Sequence, residues 1–204
     1  MAPVPPLVLA STSPSRRQLM ANAGLSFEID PSGVDEEEVT RSLLAKRASP
    51  QEIAEALAEM KALRVSARRP GALVVGGDST LASNGRLFDK PPDLATARKQ
   101  LLALRGQTHE LFSSVVVAKN GARLWHWNER ARLTMRPFSE PFLDAYLSRA
   151  GEGLLTSVGA YQLEGLGAHL FSRVDGDYFT ILGLPLLPLL SFLSGHGVGL
   201  EQAA

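Results

Sequence analysis

Cysteine is absent from the 204-residue chain, which excludes a disulfide scaffold, a thiolate zinc site and a cysteine nucleophile, and suits a reducing compartment. An excess of charge of either sign is also missing: Lys plus Arg number 21 and Asp plus Glu 21. A polyanionic partner is therefore held by a local cluster of cations and not by the field of the whole molecule, and long nucleic acid is not expected. Long apolar runs are lacking too. The best of them, Tyr178 to Leu193, is short for a membrane span and is broken by Pro185 and Pro188. Leu7 to Ala10 has no basic leader before it, so neither a signal peptide nor a membrane partner is expected, and the chain reads as cytoplasmic. No GxxxxGK[ST] or GxSxG segment occurs, and His109, His126, His169 and His196 lie without metal-ligand spacing.

What remains is an ordinary soluble balance, 45% apolar and 21% charged, with no repeat and no linker. A single domain over residues 1–204 is expected, with a disordered tail from about residue 195. Leu7 to Ala10 reads as a buried strand, and Ser13-Pro14 as the cap and first position of a helix ending at Gly24. Ser26 to Ile29 suits a second strand, and the acidic run Asp35 to Glu38 reads as a solvated loop. Ser49-Pro50 opens a helix to about Ala67. Ala72 to Val75 is a strand covered on both faces, leading into the segment Gly76 to Thr80. Asn84-Gly85 and Asn120-Gly121 are hairpin signals, the second joining strands Thr108 to Ala118 and Arg123 to Met135. Helices follow Pro92 or Asp93, Ser139 and Pro185, and His169 to Val174 suits a strand. Helices alternating with strands around an antiparallel pair predict an α/β fold on a mixed sheet.

Three groups of residues can do chemistry. Ser11, Ser13 and Arg16 stand at a strand-to-helix turn, where unpaired N–H groups and the helix dipole suit a phosphate; on local chemistry alone, simple capping beside a solvated basic pair explains them. Asp78 follows an apolar strand and two glycines, at what reads as the carboxyl end of a sheet strand; it suits Mg²⁺ or proton transfer from water, and equally a turn. Lys61, Lys90 and Glu36 form the third group, and alone each reads as a surface charge.

Taken together the segments resemble the Maf family of nucleotide pyrophosphatases. The resemblance rests on Leu9 to Arg17, Val34-Asp35-Glu36, Ala58 to Ala62, Gly77-Asp78-Ser79, Lys90-Pro91 and Leu104 to His109. It continues through Gly159-Ala160-Tyr161, Glu164 to Gly167, Gly176-Asp177-Tyr178 and Gly183-Leu184-Pro185. These come in family order and cover nearly the whole chain. The resemblance implies a two-lobed, elongated α/β fold with a deep nucleotide cleft, similar to inosine triphosphate pyrophosphatases, and often a homodimer. It implies hydrolysis of a small-molecule nucleoside triphosphate to monophosphate and pyrophosphate with Mg²⁺ or Mn²⁺. Asp78 is then the catalytic carboxylate, Glu36 its partner at the metal, and Arg16, Lys61 and Lys90 the grip on the triphosphate, with Ser11 beside them. Base choice falls on Ser15, Ser79 and Glu164. A pyrimidine branch has Arg, Thr and Gln there, and a methylguanine branch has Trp, Gln and Glu; only Glu164 matches, with the second, which implies a guanine-type or broad substrate. Two other readings stand beside this one: a nucleotide-binding regulatory module tied to septum formation or division arrest, and an inosine or xanthosine triphosphate pyrophosphatase.

Overall fold

Runs of aliphatic residues buried at every position mark the middle of the sheet. In the computed structural model, which describes residues 4–200, Leu7–Leu9 forms β1, Glu28–Ile29 forms β2, and the two are parallel. Between them Pro14–Asn22 forms α1, capped by the Ser13 side chain and begun by Pro14, whose missing N–H costs nothing in a first turn. Glu36–Ala45 is α2 and Pro50–Ser66 is α3, the latter opened by a reciprocal Ser49–Glu52 capping box. Leu73–Ser83 is β3, parallel to β1, and it turns at Asn84-Gly85 into β4, Arg86–Phe88. Both turn residues have positive φ, 49° and 76°, as a two-residue hairpin with the sheet's twist requires.

Asp93 caps α4, Leu94–Leu104. Thr108–Lys119 is β5 and Ala122–Met135 is β6, a second hairpin through Asn120-Gly121. Ser139 caps α5, Glu140–Ala150; Phe171–Asp175 is β7, Tyr178–Ile181 is α6 and Leu186–Ser194 is α7. The sheet has seven strands in the order β2-β1-β3-β5-β6-β7, with β4 on the far part of β3. Its direction is mixed, as expected. Among the described residues no helix is long and apolar enough to cross a membrane.

The long strands run through two separate cores. Leu73 and Val75 of β3 join Val115 and Val117 of β5 in a core closed by α1 and α7. Leu81 and Leu111, farther along the same strands, join Ala131, Leu133, Leu101 and Leu143 in the other. Between the two, β3 carries Gly76, Gly77, Asp78, Ser79 and Thr80, five residues with no large apolar side chain. The polar break in one continuous strand is where the lobes part.

Three expectations are corrected. The strand does not stop at Val75, and Asp78 is mid-strand, paired with Ser114, instead of at a carboxyl end. The acidic run is no loop: Asp35 caps the N–H of Glu38, and Glu36, Glu37 and Glu38 fill the first turn of α2, where the helix dipole favours them. The chain from Gly195 to Val198 is packed, because Gly197 (φ 75°) reverses it, Val198 N–H donates to the Leu193 carbonyl, and the Val198 side chain enters the core. Residues 201–204, the end of that expected tail, lie outside the described residues.

Candidate active site

Arg16 is the first anchor. It sits in the first turn of α1 and is buried, which is rare for arginine unless it is paired. Its Nε donates to the Gly183 carbonyl at 2.7 Å, Nη2 to Ser79 Oγ at 3.1 Å and Nη1 to Ser11 Oγ at 3.4 Å. A side chain at position 77 would stand 3.0 Å from Arg16 Nε, so the glycine leaves room for the guanidinium against the sheet. Burial lowers the Arg16 pKa from its ordinary value, and the charges of Asp78 and Glu36 work against that shift. The guanidinium stays a cation, as arginine does throughout proteins. Ser79 is held in turn by Ser113, whose hydroxyl lies 2.8 Å away and donates to the Thr180 carbonyl at 2.8 Å.

Lys61 is the second anchor. It lies inside α3 with its side chain 5% exposed, and its Nζ meets Asp78 Oδ1 at 2.6 Å and Glu36 Oε1 at 2.7 Å. The helix comes this close to the strand because of Gly76: a Cβ there would fall on the Ala58 carbonyl oxygen and 2.7 Å from Ala62 N. Burial pushes the Glu36 carboxyl up, but the charge and hydrogen bond of Lys61, with help from Lys90 and Arg16, pull it below the usual glutamate range overall. Glu36 is therefore ionised at neutral pH.

Two adjoining cavities meet at these groups. The smaller, about 220 Å³, is lined by Ser11, Thr12, Ser13 and Ser32 and by Arg16, Lys61 and Lys90, with Glu36 the sole carboxylate. Three cations around hydroxyls and a helix start suit an oligophosphate. The larger, about 560 Å³, has an apolar lining that includes Leu57, Phe88, Leu111 and Tyr161, with Ser15, Asp78, Ser79 and Glu164 also on its walls. Ser13, Arg16, Glu36 and Lys90 border both. A mostly apolar cleft with few fixed polar groups suits a nucleoside.

All ten residues singled out from the sequence thus line one cleft. Ser79 differs from Ser15 and Glu164 in that its hydroxyl is already engaged by Arg16 and Ser113. Sequence reasoning missed Ser113, the Gly183 carbonyl, and Thr40, Arg41 and Leu44 of α2, which also line the larger cavity. Asp35 followed by three glutamates was a usable signal for that helix; Ser113-Ser114 inside an aliphatic strand was a usable signal for the buried hydroxyl.

Asp78 and Glu36 already share one cation, the Lys61 ammonium. Each carboxylate keeps a second oxygen, and among the described residues no cluster of three acidic or histidine side chains completes a metal cage. That donor set fits Mg²⁺ or Mn²⁺, which take one or two carboxylates and fill the remaining positions with water and substrate phosphate.

Known proteins match the chain over nearly its whole length. The family model described as Maf-like protein matches residues 6–196. A protein of Paramagnetospirillum magneticum named nucleoside triphosphate pyrophosphatase is 56% identical over 190 residues, 93% of this chain and 98% of its own. One of Caulobacter vibrioides with the same name is 54% identical over 192 residues, covering 94% and 96%. A protein of Rhizobium etli named 7-methyl-GTP pyrophosphatase is 53% identical over 193 residues, covering 95% and 97%. A match of this length shows that the chain belongs to the Maf-like family.

Proposed function

We propose that this protein is a nucleoside triphosphate pyrophosphatase that cuts its substrate between the α- and β-phosphates, releasing a nucleoside monophosphate and pyrophosphate. The observation that carries the reading is the Lys61 ammonium between Asp78 and Glu36, set where a cationic cavity joins an apolar one. Relatives named for this activity, at more than half identity over nearly the whole chain, support it.

The residues divide the work as follows. Arg16 and Lys90 border both cavities and Lys61 lines the smaller, so all three present positive charge to the triphosphate, Lys61 while it also bridges Asp78 and Glu36. Asp78 orients a water toward the α-phosphorus and accepts its proton as the P–O bond to the leaving pyrophosphate breaks. Lys61 and Lys90 hold the charge that develops on the pyrophosphate oxygens. Asp78 and Glu36 would hold a divalent cation, which supplies Lewis-acid polarisation and further charge neutralisation when bound. Arg16 is fixed before substrate arrives, because Ser11, Ser79 and Gly183 already hold its guanidinium.

For the base, the Glu164 carboxylate on the wall of the larger cavity favours a guanine-type substrate, since it accepts the adjacent N1–H and N2–H₂ donors of guanine, while a pyrimidine carbonyl would oppose it. The Rhizobium relatives named 7-methyl-GTP pyrophosphatase support the same choice. The neutral charge balance and the absence of cysteine support a cytoplasmic enzyme acting on free nucleotides. The test is pyrophosphate release from dTTP, UTP, GTP, 7-methyl-GTP and ITP with Mg²⁺ or Mn²⁺. Release fastest with a guanine base is expected. Nucleotide binding without release from any substrate would leave a binding module in place of an enzyme.

A further inference from the structure

Helix α2 has no buried residue, yet Glu36, Glu37, Thr40, Arg41 and Leu44 all line the larger cavity. At ~100° per residue these positions fall within about 140° of the helix circumference, so they form one continuous stripe. Among the described residues, the one side-chain ion pair or hydrogen bond from α2 to another element is Glu36 with Lys61. Beyond it the stripe is unspent. Arg41 pairs only with Glu37 of its own helix, both groups being exposed, and Leu44 is 48% exposed. None of Thr40, Arg41 and Leu44 lines the smaller, cationic cavity.

An exposed leucine alone means nothing. Here it lies on the wall of an apolar cleft, two turns along the same stripe as a carboxylate of the reaction centre. Resting on the reading of the preceding subsection, we infer that this face of α2 is a nucleoside-binding wall. Leu44 covers an apolar face of the base or sugar, and Thr40 and Arg41 hydrogen-bond to its polar edge. The nucleoside lies along the helix from Glu37 to Leu44, while the phosphates lie at its Glu36 end, in the smaller cavity.

The test compares wild type with Arg41→Ala, Leu44→Ala and the double variant, using two ligands. One is a triphosphate of the preferred nucleoside with a methylene group between its α- and β-phosphorus; the other is inorganic tripolyphosphate. Both variants should fold as wild type does, since neither position is buried. Each should weaken the nucleotide analogue about fivefold, and the pair about twentyfold, while leaving tripolyphosphate affinity unchanged. Hydrogen exchange over residues 36–45 should slow with the analogue and not with tripolyphosphate. Unaltered binding of the analogue, or an equal loss for both ligands, would overturn the inference while leaving wild-type turnover intact. If wild type binds and cuts no nucleoside triphosphate, it is the proposed function that falls.

Discussion

Lys61 Nζ and Asp78 Oδ1 are 2.6 Å apart, on side chains 5% and 8% exposed. Charges that far out of water persist only as partners, and removing one strands the other. Lys61→Met is therefore expected to cost about 3 kcal/mol of unfolding free energy. Asp78→Asn leaves Lys61 its 2.7 Å contact with Glu36 and should cost about 1 kcal/mol. Urea denaturation of both variants separates the two cases. A Lys61→Met protein as stable as wild type would show that the pair is not buried as described.

Gly76 and Gly77 are neighbours with different duties. A side chain at 76 meets the backbone of α3 at Ala58 and Ala62, which cannot yield without moving the helix that carries Lys61. One at 77 meets the Arg16 side chain, which can shift. Gly76→Ala should lose about 3 kcal/mol of stability. Gly77→Ala should fold and show a raised KM for the nucleotide, read from thermal melts and steady-state kinetics.

His109 is buried against Tyr161, with its Nε2 2.9 Å from the tyrosine hydroxyl and its Nδ1 without a hydrogen-bond partner among the described residues. Burial lowers its pKa to about 4 from the ordinary 6.5. The unfolded chain then binds a proton that the folded protein refuses, so stability falls as pH drops from about 6.5 toward 4. Between pH 7 and pH 5 this group alone should remove about 2 kcal/mol. His109→Gln should flatten that part of the urea-midpoint profile.

Turnover should stop in a chelator while the thermal midpoint stays unchanged. The fold does not need a divalent cation, because the Lys61 ammonium already bridges Asp78 and Glu36. A chelator that also unfolded the protein would place the metal in the structure and not in the reaction alone.

Elements with local signals were legible from the sequence. Ser13-Pro14, Ser49 with Glu52, and the two Asn-Gly turns carry their geometry within four residues. The course of β3 was not legible, because two glycines before an aspartate read as a loop, and their actual reason lies in α3 and Arg16, distant in the chain. Lys61 illustrates the same limit: inside a helix it looks like any surface lysine until the strand supplies Asp78. Family resemblance brought it to the site where local chemistry left it on the surface. Helix α2 was missed for a different reason, since its cap and acidic first turn were present and were weighed as a charge run only.

The central claim is attack of water on the α-phosphorus under the direction of Asp78. Running the reaction in heavy-oxygen water and locating the label by mass spectrometry tests it most directly. The heavy oxygen should appear in the nucleoside monophosphate, with unlabelled pyrophosphate, and Asp78→Asn should abolish the labelling. Label in the pyrophosphate, or labelling undiminished in Asp78→Asn, would contradict the account.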